Sequence, residues 1–595
     1  MVFNLIFNLF VYKPIFCFKK YKQELKSSGL IAANKKNINK LIVKYKYHNW
    51  IKKSSVYNES LISAILEQCS YKPVVSLIVP TFNTEIKFLQ ELYASVTSQY
   101  YANWELCFAD GGSSNLTTIS YLKKLVQQDK RVKLKLIGKN LHISANSNQA
   151  LGLASGDFIG ILDHDDTLTT NALLEVVYHI NQYNPDFLYS DEDLQNPAGL
   201  YINPHYKEGY SKDLLLSINY LGHFAVIKKS LIEQVGGFAV GVEGSQDHDL
   251  FLKISEITDR IHHIPKILYH WRQSPTSVAN DLSTKPYAWH NGRMAVELAL
   301  ARRGYKAKVF LGKYPCTYKI DYEIIGQPLI SVVINFTKIT NIEISLIMLK
   351  NSINSILNNC YSNVEVIVII NNDSIDQALM RLISEFTNNH KVQFQQSNIK
   401  ENTATVINYA VDHWVHGAYI LLFSYMTTLI NKDGIKKLLE HAQHKEVGAT
   451  GAIIYDTAGK VQQAGVVIDL NTELGYYFKL PLSSGSSCFE KISCVQNISA
   501  LTAHCLLIKK DYYLNIGGMN EKDLPLYYYD LDFCLRLIEK GWLNVLTPYC
   551  QLCDHSHNVE NWSSKDLWQQ QFNYFKHRHD QYFNLDPYGV SQSFT

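Results

Sequence analysis

The sequence predicts an α/β protein of two tandem domains with mainly parallel sheets, preceded by a basic helical segment. Three observations carry this. A chain of 595 residues is too long for one hydrophobic core. A β-branched run, VVSLIVP at 74–80, is repeated as LISVVI at 329–334. The segments after each run recur in the same order, as a duplication with insertions would leave them.

The N-terminal segment, residues 1–72, is set apart by charge. Residues 1–53 hold twelve Lys, from Lys13 to Lys53, against the single acid Glu24. The whole chain has a net charge of +3, so the remainder is mildly acidic and nucleic acid is not an expected partner. The basic arm suits anionic lipid, where each Lys near the surface contributes about 1 kcal/mol. The apolar run that opens it, VFNLIFNLF, is interrupted by Lys13 and Pro14, short of the roughly 20 residues a membrane span needs. The expectation is a peripheral anchor on a membrane surface or, alternatively, a helical extension packed on the first domain. No positive charge precedes the run and no small-residue cleavage site follows it, which disfavours a secretory signal. Eleven scattered Cys form no disulfide framework, so a cytoplasmic setting is expected, peripheral on the inner face of the membrane. Cys550 and Cys553 make a single C-x-x-C, a weak zinc signal without a second pair. A hydrophobic fraction of 46% with 19% charged residues fits globular domains and excludes a multi-span membrane protein.

The first domain is expected at 73–318. VVSLIVP reads as a buried parallel strand ending at Pro80, followed by an amphipathic stretch from Ile86 to Ser98. A second strand, WELCFAD, stops at Asp110 in a Gly-Gly-Ser-Ser turn. In open α/β sheets, ligands bind beyond the carboxyl ends of the strands, which makes the residues just after each strand the candidates. Asp110 could accept hydrogen bonds from a base or ribose, or equally could form the turn before Gly111 and Gly112. The segment ASGDFIGILDHDD runs through a strand into Asp163, His164, Asp165 and Asp166. Three carboxylates in four residues repel one another, and a divalent cation gives a reason to collect them; a solvated acidic turn is the alternative. On extended backbone Asp163 and Asp165 point to one side, and all-oxygen ligation suits manganese or magnesium. In EGSQDHDLFLK, Asp247 precedes a helical run, where the ionised form is favoured and a general base for an acceptor hydroxyl would sit. Asp249 is the competing base or a helix-start carboxylate. His270, in HIPKILYHWR, offers a nitrogen ligand for the same cation, although a lone His is more often structural.

A linker is expected from Pro315 to Pro328, a second domain at 328–560 and a tail at 561–595. The repeat continues with a helix-like stretch from Leu346 to Leu357 and VEVIVII ending at Asn371. VGGF at 235–238 recurs as IGGM at 516–519, and Asp530 and Asp532 match Asp247 and Asp249.

These segments resemble glycosyltransferase family 2, and within it the long bacterial proteins with two tandem GT-A domains linked to O-antigen or rhamnan synthesis. The resemblance spans roughly residues 73–560 and rests on VSLIVPTFN, ADGGSS, ILDHDD, YSDED, NYLGH, VGGF, EGSQDHDL and LYHWR. It implies GT-A-like domains of the nucleotide-diphospho-sugar transferase type, a nucleotide-diphosphate sugar as donor, inversion at the anomeric carbon, and a lipid-linked or polysaccharide acceptor. By the same resemblance Pro80, Thr81 and Asp110 line the nucleotide pocket, Asp163 and Asp165 form the metal-binding D-x-D, Asp247 is the catalytic base and His270 a second metal contact. Asp191, in YSDED, sits at an acidic family position without an assigned role.

The second domain departs from the pattern. LLFSYMT places Ser424, Tyr425 and Met426 where the D-x-D belongs. Asn371 is expected in place of the nucleotide-side aspartate, Asn335 and Phe336 in place of Pro-Thr, and Asp554 in place of the late His. This domain is therefore expected to be degenerate. The rival reading is a non-catalytic scaffold that binds nucleotide sugar or glycan in a polysaccharide assembly complex. An NAD-dependent oxidoreductase is disfavoured, because no G-x-G-x-x-G follows the opening strand.

Overall fold

The computed structural model describes residues 30–273, 286–337, 339, 341–371, 376–399, 402–468, 491–556, 565–584 and 586–589. The apolar run expected to anchor the chain at a membrane lies outside the described residues. Among the described residues, no helix is long and apolar enough to cross a membrane.

The β-branched runs become the inner strands of two sheets. The first contains β1 (Val75–Thr81), β2 (Trp104–Asp110), β3 (Val132–Leu136), β4 (Phe158–Ile161), β5 (Thr167–Leu168), β6 (Phe187–Gln195), β7 (Tyr201–His205), β8 (Ala225–Lys228) and β9 (Ile261–Arg272). Its order is β3-β2-β1-β4-β8-β6-β9-β5, with β7 on the side of β6. The pairings among β1 to β4 are all parallel. Side chains alternate between two apolar layers: Leu77 and Val79 meet the helices Ile86–Thr97 and Leu116–Gln128, whereas Ile78 faces the helices His142–Leu151 and Gln246–Ile254.

A hairpin, β10 (Ala307–Leu311) and β11 (Tyr318–Tyr322), leads to the second sheet. That sheet holds β12 (Ile330–Phe336), β13 (Val364–Asn371), β14 (Val392–Ser397), β15 (Tyr419–Phe423), β16 (Thr427–Leu429), β17 (Val447–Tyr455), β18 (Val461–Gln463), β19 (Gln496–Asn497), β20 (Cys505–Lys509) and β21 (Leu543–Asp554). Its order, β14-β13-β12-β15-β20-β17-β21-β16, repeats the first sheet position by position, and β18 takes the place of β7. A buried polar bracket is duplicated with it. The Ser76 hydroxyl donates to Glu105 Oε1 at 2.6 Å and accepts from the Gly156 amide at 2.9 Å; Ser331 does the same with Glu365 at 2.5 Å and Gly417 at 2.8 Å. Each glycine is required by close approach, since a Cβ on Gly156 would meet the Val74 carbonyl oxygen at 2.4 Å and one on Gly417 the Leu329 oxygen at 2.6 Å.

Three expected boundaries move. The segment expected as linker contains β11, whose Tyr318, Ile320 and Tyr322 pack with Val309 into the first domain. The segment expected as tail supplies the helices Lys565–Arg578 and Asp580–Asn584, and Phe572, Phe575, Tyr582 and Phe583 enter the second core. In the N-terminal segment, the helix Leu30–Ser54 lies on the first domain through Tyr47 and Ile51, which meet Ile267, as a packed extension would. In each case the apolar side chains are too few to form a core alone and are buried by a neighbouring sheet. The Cys pair does not gather either: Cys550 is buried in apolar core and Cys553 is only partly covered.

The domains meet where Asn497 reads the polar start of the helix Lys212–Ser217. Its amide donates to Ser211 Oγ at 2.9 Å and its Nδ2 to Asp213 Oδ2 at 2.6 Å. Lys491 pairs with Glu208 at 2.7 Å beside it.

Candidate active site

The acidic turn follows β4. β4 runs close beneath its neighbours, and a Cβ on Gly160 would meet Leu77 Cδ2 at 2.6 Å. The three carboxylates then separate. Asp166 is fully buried, accepting from the Tyr269 hydroxyl at 2.5 Å and from the Arg272 amide at 2.7 Å. Burial, reinforced by the charges of Asp165 and Asp163, pushes its carboxyl well up. Asp166 therefore ties the turn to β9. Asp163 and Asp165 remain as oxygen donors at the surface of the turn, each with an imidazole nitrogen 3.9 Å away, from His223 and His164 respectively. Burial and the neighbouring Asp163 push the Asp165 carboxyl up, so a cation between them would relieve a conflict already present. Hard, anionic oxygens of this kind fit manganese or magnesium. Among the described residues, no group of three or more His, Cys, Asp or Glu stands close enough to hold an ion.

His270 does not join them, which corrects the expected ligand set. Successive residues of β9 face opposite ways, and Tyr269 turns to Asp166 while His270 turns to the other side. There its Nδ1 meets Asp193 Oδ1 at 2.6 Å and its ring stacks on Tyr201 at 3.7 Å. The Tyr47 hydroxyl donates to the second Asp193 oxygen at 2.7 Å. His270 thus fastens the N-terminal helix to the sheet. The imidazole beside Asp163 is that of His223, from NYLGH, a residue that sequence reasoning did not single out.

Thr81 and Asp110 end adjacent strands in register, and Pro80 lies opposite Ala109. Asp110 is buried and closes its own turn, accepting from the Ser113 amide at 2.9 Å and the Ser113 hydroxyl at 2.6 Å. The turn-forming role is thus observed, and each oxygen keeps a second lone pair for a ligand. Gly112 has φ +80°, and a Cβ there would strike the Gly138 carbonyl carbon at 2.8 Å.

At the start of the helix Gln246–Ile254 the two aspartates diverge. Asp249 is fully buried and pairs with Lys253 one turn on at 2.6 Å, a structural role. Asp247 is only partly buried and accepts from Asn219 Nδ2 at 3.0 Å. The residue between them, His248, donates to the Leu215 carbonyl at 2.7 Å, and burial holds its imidazole below the usual range.

Asn219 and His223 belong to one loop, and that loop is clamped by groups the motifs did not reveal. Lys207 is fully buried; its Nζ donates to Leu221 O at 2.6 Å, His223 O at 2.5 Å and Glu192 Oε2 at 3.2 Å. Glu192 also accepts the His223 amide at 3.0 Å. Asp191 accepts from the Lys207 amide at 2.9 Å and pairs with His263 at 2.8 Å. YSDED is therefore a brace: Asp191 and Glu192 set Lys207, and Asp193 sets His270. A lone Lys in YKEGY gives no pattern from which this could be read.

Register identifies the counterparts in the second domain. Leu422 pairs with Val333 as Ile161 pairs with Ile78, so Ser424 and Met426 do occupy the positions of Asp163 and Asp165. The counterpart of Asp110 is Ile370, not Asn371, because Phe336 pairs with Ile370 as Thr81 pairs with Asp110. The counterpart of His270 is Cys553, not Asp554, because Thr428 pairs with Cys553 as Thr167 pairs with His270. Both corrections are shifts of one residue along a strand. Asp530 accepts the Ala503 amide at 2.9 Å and the Leu531 amide at 3.0 Å, and burial pushes its carboxyl up. Asp532 is held by Arg536 at 2.7 Å and His579 at 2.9 Å.

Residues 76–236 match the family model described as Glycosyl transferase family 2. The chain is 35% identical over 500 residues to the uncharacterized protein y4gI of Sinorhizobium fredii, covering 83% of this chain and 54% of that protein. It is 28% identical over 510 residues to the O-antigen biosynthesis protein RfbC of Myxococcus xanthus, covering 84% of this chain and 39% of that one. The chain thus spans about half or less of the length of these relatives. A solved structure of S. aureus TarS 1–349 in complex with UDP-GlcNAc is similar at 18% identity and a TM-score of 0.33, covering 38% of this chain and 66% of that chain. The two sheets share one strand order and one crossover pattern, as tandem copies of a single α/β domain do.

Proposed function

With a family 2 glycosyltransferase domain at residues 76–236 as the premise, we propose that the chain is an inverting glycosyltransferase of surface-polysaccharide synthesis, working at the first domain alone. The observation that carries this is the loop from Asn219 to His223. One end holds Asp247 at 3.0 Å and the other stands 3.9 Å from Asp163, so a candidate base and a candidate leaving-group site share one rigid support. The donor is a nucleotide-diphosphate sugar, with its nucleotide over Pro80, Thr81 and Asp110 and its diphosphate toward Asp163 and Asp165. Asp247 removes the proton from an acceptor hydroxyl, the oxygen forms its bond to the anomeric carbon, and the bond to the diphosphate breaks on the opposite face. Asn219 fixes the direction of the carboxylate. Asp163 and Asp165 would hold a divalent cation, which would supply positive charge at the diphosphate leaving group. The basic N-terminal arm would keep the enzyme peripherally on the cytoplasmic face of a membrane, near a lipid-linked acceptor, with attachment weakened by salt.

Donor hydrolysis by the purified full-length chain tests this against the scaffold reading. A panel of nucleotide sugars with manganese should give turnover for at least one donor and none in excess chelator. Undiminished turnover in chelator removes the cation from the reaction, and nucleotide-sugar binding without turnover across the panel favours the scaffold.

A further inference from the structure

The second domain carries a cavity of about 460 Å³ at the carboxyl ends of β12 and β15, within the ~300–1,000 Å³ range of small-molecule sites. It occupies the place of the first domain's active site, but only one half of that site is open. On the nucleotide side, the positions of Thr81, Asp110 and His164 hold Phe336, Ile370 and Tyr425, and all three belong to one buried apolar core. Phe336 and Tyr425 meet edge to face at 4.9 Å. The space a base and ribose would need is filled by packed rings.

The acceptor side is open. His504, Tyr527, Tyr529 and Asp530 line it, and the cavity runs on to Asn335 and Ser424 at the positions of Pro80 and Asp163, so that hydroxyl, amide, imidazole and carboxyl groups stand together with aromatic rings. Among the described residues that line the cavity none is Lys or Arg, and Ser424 and Met426 stand in place of the D-x-D carboxylates. Neither a cationic side chain nor a pair of metal-binding carboxylates is there to neutralise a diphosphate, and such groups are what diphosphate recognition requires. An uncharged sugar needs neither. Its hydroxyls match short polar side chains and its C–H faces match tyrosine rings, which combine an apolar face with a polar tip.

We propose that this cavity is a binding site for an uncharged saccharide unit of the acceptor or product chain, retained after the nucleotide half was plugged. The inference rests on the reading of the first domain as the catalytic one, and deepens it by giving the second domain a ligand class.

The test uses the full-length protein and ligand-observed NMR titration with the methyl glycosides of glucose, galactose, mannose and rhamnose, with methyl glucuronide and with UDP plus manganese. At least one neutral glycoside should bind more tightly than the glucuronide, equally well in excess chelator and in Asp163→Asn. Tyr527→Ala and Asn335→Ala should each weaken that binding about tenfold, Tyr527→Phe should restore it, and UDP binding should stay unchanged in all three. An unchanged melting temperature in the variants rules out general unfolding. The proposal is overturned if no neutral glycoside binds, if binding survives both alanine variants, or if these variants weaken UDP instead. Turnover in the first domain is read separately from donor hydrolysis, so loss of one result leaves the other standing.

Discussion

Replacing Lys207 by Met should destabilise the first domain and disable its site together. The ammonium is fully buried and is the donor to Glu192 Oε2, Leu221 O and His223 O. Burial alone pushes the Glu192 carboxyl up, and Lys207 with His205 holds it well below its ordinary range, so removing Lys207 leaves a buried carboxyl without its main compensating charge. Breaking a buried pair by deleting one member costs about 3–5 kcal/mol, because the other charge is left without compensation. For a domain of this size each kcal/mol moves Tm by roughly 2–4 °C, giving a fall of roughly 6–20 °C. Glu192→Gln added to Lys207→Met should recover part of the loss by removing the stranded charge. Turnover should not recover, since Asn219 and His223 are still without their clamp. Scanning calorimetry of the three variants, with donor hydrolysis on the same samples, measures both effects. A Lys207→Met protein that melts within about 2 °C of the parent, or that retains full turnover, would refute the reasoning.

Other substitutions separate structural from chemical roles. Glu105 is buried, which pushes its carboxyl up, but Lys133, Ser76 and Ser155 hold it at about 2 from an ordinary 4.5. Its folded pKa is thus depressed: the contribution, of order 3 kcal/mol, is complete above about pH 4.5 and is lost as the pH falls toward 2. Urea unfolding of wild type and Glu105→Gln across pH 3–6 should show the two curves converging at the acid end. Asp165→Asn should abolish manganese-dependent turnover with no fall in Tm measured in chelator, since it removes one of three crowded charges. His270→Gln should lower stability through loss of the Asp193 contact while leaving the manganese concentration for half-maximal turnover within about twofold, a difference under 0.5 kcal/mol.

What was legible in the sequence was whatever repeats along a strand or collects charge. Val75, Leu77 and Val79 alternate with Ser76 and Ile78, and the same rhythm in Ile330–Phe336 identified the second sheet before its partners were known. The acidic turn was legible because stability gives no reason to gather Asp163, Asp165 and Asp166; which of the three turns inward was not, because that depends on Tyr269 and Arg272 a hundred residues away. His270 was misplaced because the face of a strand on which a residue falls is set by pairing, not by nearness to a motif. The same limit explains Asn371 and Asp554: matching strand ends by polarity errs by one residue, and one residue reverses the face. The pairing of Lys207 with Glu192 of YSDED left no trace, since a buried ion pair is visible only when both partners are in place.

The central claim is that chemistry belongs to the first domain and not to its copy, and the measurement that tests it most directly is product linkage analysis of Asp247→Asn beside Asp530→Asn. Asp247 is partly exposed and, among the described residues, accepts from the Asn219 side chain, whereas Asp530 already accepts two backbone amides. An amide cannot take the acceptor's proton, so Asp247→Asn should eliminate transfer while Asp530→Asn forms every linkage that the wild type forms. Loss of one distinct linkage in Asp530→Asn, with another retained, would show a second working site and contradict the assignment.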